Sequence, residues 1–176
     1  MKRQTIIRLF VFTACYPLAL TARAGQDNIA PLAHATVSSV LNEAYGAENI
    51  NDGRIMYDGS GEWACKGFVP AWGVMDMPWA QLEWDNEVSI DRVVLYDRVS
   101  QVEHTAGGTL HFSDGTAVSV TEIPNDGSAR SVTFAPKTVK WLRFEATDGN
   151  GKNIGLSEIE VFPARGEDTE YVEWVD

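Results

Sequence analysis

From residue 33 onward, apolar and polar side chains alternate with a period of two in short runs separated by Gly, Asp, Asn and Pro. Such alternation sends one class of side chain to each face of a β-strand. Residues 80–84 (AQLEW) alternate in this way, and 88–98 (VSIDRVVLYDR) form the longest run, rich in β-branched residues suited to a pleated surface. Residues 108–113 (GTLHFS) and 116–122 (TAVSVTE) flank Asp114-Gly115, a hairpin signal. Residues 131–134, 139–147 (VKWLRFEAT) and 156–162 (LSEIEVF) follow, divided by Asn125-Asp126-Gly127 and by 148–151. With 33–40 the pattern predicts about eight strands and no intervening helix, an all-β sandwich. Val93 with Leu95, Val118 with Val120, Leu142 with Phe144 and Ile159 with Val161 each lie two apart and predict the inter-sheet core.

Two segments break the pattern. Residues 42–77 carry six glycines (46, 53, 59, 61, 67 and 73) and no clear strand, the profile of a functional or ion-organised loop. At the start, Lys2, Arg3 and Arg8 precede an apolar run at 9–20 that closes on Ala22-Arg23-Ala24, which predicts a secretory signal peptide cut after Ala24. The run falls short of the roughly 20 residues that span a bilayer, and Pro17 interrupts it. A lipoprotein-type site at Cys15 is the variant reading. The expected organisation is a signal peptide at 1–24, one domain at 25–164 and an acidic tail at 165–176, whose Tyr171 and Trp174 could dock. The expected location is secreted, periplasmic or cell-surface, with no membrane insertion after cleavage.

Composition narrows the function. A formal charge of −11 over 176 residues argues against nucleic acid or anionic membrane as partner, because both select a cationic footprint. Cleavage would remove Lys2, Arg3, Arg8 and Arg23 and no acidic residue, taking the charge to −15. Cys65 would then be the one cysteine left, which excludes an internal disulfide and reads as a buried, inert thiol. The chain has no G-x-S-x-G, H-E-x-x-H, P-loop or Cys/His cluster, and its histidines are His34, His104 and His111. A non-catalytic protein is expected.

The loop-rich half carries the candidate chemistry. Asn49-Ile50-Asn51-Asp52-Gly53 offers side-chain oxygens on a tight turn, which suits Ca²⁺ and also suits a plain turn. Trp63 and Trp72 stand among the glycines as candidate stacking platforms, with Glu62 and Lys66 beside Trp63, whereas Trp79, Trp84 and Trp141 fall in or beside strand patterns and read as core or sheet-face packing. Arg98, closing the longest run, offers a planar fork of donors. Gln101 and His104 follow as polar groups, His104 reading equally as an exposed loop residue.

The order NINDG at 49–53, Trp63, WAQLEW at 79–84, IDRVVLYDR at 90–98, GGTLHFSDG at 107–115 and GLSEIEVF at 155–162 resembles the discoidin, or coagulation factor V/VIII C-type, domains. More closely it resembles the galactose-binding-like modules of secreted bacterial carbohydrate-active proteins, from about residue 28 to 163. The resemblance implies an eight-stranded jelly-roll sandwich with a loop-end site for a carbohydrate or glycoconjugate into which Arg98 points. Trp63, whose family counterpart often packs beneath the site, and Trp72, Glu62 and His104 are the other candidate ligand residues by position. The resemblance also implies a structural Ca²⁺ held by Asp52 and Glu158 with carbonyls near Asn49 and Arg54, and Ser60 as the nearest hydroxyl. Two stretches depart from the family pattern: 54–62 (RIMYDGSGE) is long, and 99–105 (VSQVEHT) lacks the usual Pro and Asn. The competing reading is a protein-interaction or extracellular assembly subunit that uses the same loops.

Overall fold

Two long strands organise the molecule. In the computed structural model, which describes residues 27–56, 58–67 and 77–165, the strands are β1 (His34–Val37), β2 (Trp63–Ala64), β3 (Trp79–Asp97), β4 (His104–Phe112), β5 (Ala117–Val120), β6 (Arg130–Asn150) and β7 (Gly155–Pro163). The expected signal peptide, the tail from 166 onward and Trp72 lie outside the described residues. The first part of β3 pairs with β1 and with the second part of β6, as in Gln81 opposite both Thr36 and Arg143. Its second part pairs with β7 and with the first part of β6, as in Val93 opposite both Val161 and Val132. One layer is therefore β1–β3–β6–β4–β5 and the other β2–β7–β3–β6, all antiparallel.

The runs at 80–84 and 88–98 are thus one strand, and so are 131–134 and 139–147. Between the halves of β3 the register shifts, and Asp85, Asn86 and Glu87 are all exposed. Three polar residues in a row spoil the alternation, but they carry the extended chain from one layer to the other through a bulge instead of a turn. The expected strand at 33–40 shortens to β1. The two-residue β2 forms inside the stretch expected to be loop, pairing Trp63 with Leu156 and Ala64 with Gly155. Gly155 permits that approach, since a Cβ there would stand 1.9 Å from the Trp63 carbonyl oxygen.

The core lies between the layers. Leu82, Trp84, Leu110, Phe112, Leu142 and Phe144 face Ile90, Val93, Leu95, Ile159 and Val161, all buried. The expected apolar pairs are these residues, with Val120 buried and Val118 packed at the margin. Asn51 ties the glycine-rich loop to the N-terminal segment, its Nδ2 donating to the Ala30 and Ala33 carbonyls at 2.8 and 3.0 Å.

Candidate functional site

Three connections, β1–β2, β3–β4 and β6–β7, meet at one end of the sandwich, and Arg98 joins them. Arg98 leaves β3 and reaches Glu62, which leads into β2; Nη2 and Nε stand 2.7 and 2.9 Å from Glu62 Oε1. Its Nη1 donates to the Asn153 carbonyl just before β7 and lies 3.4 Å from Glu103 Oε2 just before β4. Glu103 Oε1 accepts in turn from Asn153 Nδ2 at 2.8 Å. The Tyr45 ring, from the 3-10 turn Glu43–Tyr45, lies with its centroid 5.4 Å from the Arg98 guanidinium carbon.

Burial sets the electrostatics. Arg98 is 6% exposed and Glu62 1%, so the guanidinium fork is spent inside the protein and is not an open receptor for hydroxyls. Burial pushes the Glu62 carboxyl up and the Arg98 charge opposes it. Asp97, fully buried beside Arg98, accepts from the Thr105 N–H at 2.9 Å through Oδ1, while Oδ2 has no partner. Burial pushes Asp97 up to about 8. The groups of this cluster that keep surface in solvent are Tyr45, Glu103 and Asn153. None of the three stood out in the sequence; Tyr45 carried a signal, as the aromatic of a glycine-bounded turn capped by the Asn42 side chain.

Trp63 is corrected. It is wholly buried, its indole N–H donating to the Ser39 carbonyl at 2.9 Å, and it packs in the core as no ligand platform does. Glu62 is a buried partner for Arg98 instead of a residue lining an open pocket. His104 begins β4 half-buried, with Nδ1 buried and unpartnered, and no hydrogen bond links it to the Arg98 cluster among the described residues. Cys65 is buried, and burial pushes its thiol up to about 11.

The expected calcium residues also meet. Glu158, buried in β7, accepts the Gly53 N–H at 3.2 Å through Oε1, and its Oε2 is buried without a partner. Burial, with the nearby Asp52 charge adding to it, pushes Glu158 up to about 8. Asp52 is exposed and its Oδ1 accepts from the Arg54 N–H at 2.9 Å. The Asn49 side chain is committed to the scaffold, donating to the Ala44 and Glu62 carbonyls. An orphaned carboxylate oxygen beside a second carboxylate and a turn fits a hard cation with oxygen ligands. Among the described residues no three His, Cys, Asp or Glu gather to hold a metal, so backbone carbonyls would supply the remaining oxygens. An open cavity of about 480 Å³ is lined in part by His34, Glu48, Asn51 and Asp52 of this turn and its neighbours.

Solved structures share the fold. A chitosan-binding module of a chitosanase/glucanase from Paenibacillus sp. IK-5 is 22% identical, with a TM-score of 0.59 over 77% of this chain and 98% of its own. A Streptococcus pneumoniae fucose-binding module is 19% identical, with a TM-score of 0.62 over 80% and 98%. The family 32 carbohydrate-binding module of C. perfringens NanJ, solved with galactose, is 17% identical, with a TM-score of 0.60 over 77% and 97%. At these identities the likeness is one of fold. No curated protein matches the sequence. The family model of a domain of unknown function, DUF7402, matches residues 28–162.

Proposed function

This chain belongs to the DUF7402 family, and we propose that it is a secreted, non-catalytic module that binds glycans at the loop end of its sandwich. The observation that carries the reading is the Arg98 clamp, which joins three loops at one end of a fold shared with solved carbohydrate-binding modules. Sugar recognition needs an aromatic surface for C–H faces and planar polar groups for hydroxyls. Tyr45, Glu103 and Asn153 supply these, and Arg98 holds them in place from below instead of touching the ligand. Ionised acceptors such as Glu103 make the shorter and stronger hydrogen bonds to hydroxyls. Calcium, held by Asp52, Glu158 and the carbonyls near Asn49 and Arg54, would cross-link the glycine-rich loop to β7.

A glycan array followed by calorimetry on residues 25–176 tests the reading. Binding to a defined set of small sugars, reduced at least tenfold by Tyr45→Ala and by Glu103→Gln, is the expected result. Recovery of a protein ligand that no sugar displaces, with no glycan bound, would overturn it in favour of an assembly subunit.

A further inference from the structure

The outer face of the five-stranded layer carries an arrangement that the loop-end site does not use. Its outward positions are Thr36 on β1, Trp79, Gln81 and Glu83 on β3, Trp141, Arg143 and Glu145 on β6, and Thr109 and His111 on β4. Their alternate neighbours Ala80, Leu82, Leu110, Leu142 and Phe144 fill the core. At the centre the Arg143 guanidinium carbon lies 4.3 Å from the Trp79 ring centroid and 5.9 Å from that of Trp141. Gln81 Oε1 fixes the guanidinium in that position, accepting from Nη2 at 2.8 Å and from Nε at 3.0 Å.

The four described tryptophans fall into two kinds. Trp63 and Trp84 are buried, and each indole N–H donates to a backbone carbonyl, of Ser39 and Ile29 respectively. Trp79 and Trp141 are half-buried, and neither indole N–H has a hydrogen-bond partner among the described residues. Gln81 Nε2 and Arg143 Nη1 are equally without hydrogen-bond partners there. A buried indole finds an acceptor; these two are left facing water on a sheet surface, where short polar residues would serve stability as well.

We propose that this face is a second binding surface, for an extended, uncharged polysaccharide chain. Trp79 stands opposite Glu145, four positions along β6 from Trp141, and both rings approach the Arg143 guanidinium between them, at 4.3 and 5.9 Å, which sets their centroids within about 10 Å of each other. Two rings at that spacing, with free amide and guanidinium donors between them, suit successive sugar units of one chain. The outward residues come from four neighbouring strands side by side, an extended surface that suits an extended ligand. The charge selects further: Arg143 is set against Glu83 and Glu145 on a chain of net −11, which disfavours polyanions.

Affinity electrophoresis through hydroxyethylcellulose and lichenan, with sedimentation on insoluble chitin, tests this with an alginate control. The expected result is retention by at least one uncharged polymer, none by alginate, and at least a tenfold loss in Trp79→Ala and Trp141→Ala. Thr36→Arg, which removes no core contact and places a bulky cation beside Gln81, gives the same loss without a packing defect. Tyr45→Ala leaves this retention unchanged. No retention, or retention unaltered by Thr36→Arg, overturns the proposal, and small-sugar binding at the loop end then stands or falls on its own assay. Retention that appears only on deletion of residues 166–176, and is lost again in Trp79→Ala, would assign the face to the tail and also overturn it.

Discussion

Arg98 directs two nitrogens, Nη2 at 2.7 Å and Nε at 2.9 Å, to a single oxygen of Glu62, and leaves the other Glu62 oxygen buried without a hydrogen bond. The ion pair is therefore one-sided, and removing the cation strands a carboxylate in the protein interior. Arg98→Ala is expected to cost about 3–5 kcal/mol, the usual penalty for breaking a buried pair from one side. Arg98→Lys recovers little, because one ammonium cannot reach Glu62, the Asn153 carbonyl and Glu103 together. Urea titration measures both; a loss below about 1 kcal/mol in Arg98→Ala would show the clamp to be dispensable.

Asp97 gives stability a pH dependence. Its carboxyl, ordinarily near 3.8, is pushed up to about 8 in the folded protein. Between those values the folded state holds more protons than the unfolded chain, so stability falls as pH rises. The urea midpoint should be higher at pH 5 than at pH 8. Glu158 acts in the same sense while calcium is absent, so the informative comparison is Asp97→Asn against wild type in one chelating buffer. The variant should show a shallower slope, and an unchanged slope would remove Asp97 from the explanation.

Calcium should raise the thermal midpoint, and chelation should reverse the rise. An ion present at a hundredfold excess over its dissociation constant adds about 2.7 kcal/mol. Glu158→Gln should abolish the response and Asp52→Asn weaken it. Magnesium, which demands tighter octahedral geometry, should substitute poorly. Equal midpoints with and without calcium would return the Asp52 turn to a purely structural role.

Cys65 should resist thiol reagents. Its sulfur is buried and its thiol pushed up to about 11, so little thiolate forms at pH 8. Labelling by an aromatic disulfide reagent should follow global unfolding, with no fast phase in native buffer.

Alternation alone exposed the layers: Leu142 and Phe144 or Ile159 and Val161 declare an inward face by spacing, and the structure buries all four. It failed where structure depends on distant neighbours. β2 is two residues long and exists because Gly155 lets the Trp63 carbonyl approach, a fact with no local signature. Gly155→Ala should therefore destabilise by several kcal/mol, well beyond the roughly 0.5–1 kcal/mol of ordinary glycine propensity effects. The tryptophans show the same limit in reverse. Trp63, among glycines, is a platform candidate by its position and lies in the core, while Trp79 and Trp141, in strand patterns that suit either core or sheet face, sit on the outer face. A period of two states that two residues share a face; which face meets water depends on the other layer. The Arg98 clamp was half legible, since Arg98 and Glu62 both stood out, but a separation of 36 positions hid that they neutralise each other.

Because β3 and β6 each run through both layers, the central β3–β6 ladder belongs to both of them. Peeling β2 or β5 from an edge is a local event, but separating the layers means tearing the same two strands out of every central pairing at once. Amide exchange along 79–97 and 130–150 should accordingly proceed through one shared opening, with edge strands exchanging first. The loop end and the tryptophan face are then two surfaces on one indivisible spine, and a pull applied at either is carried by the whole domain.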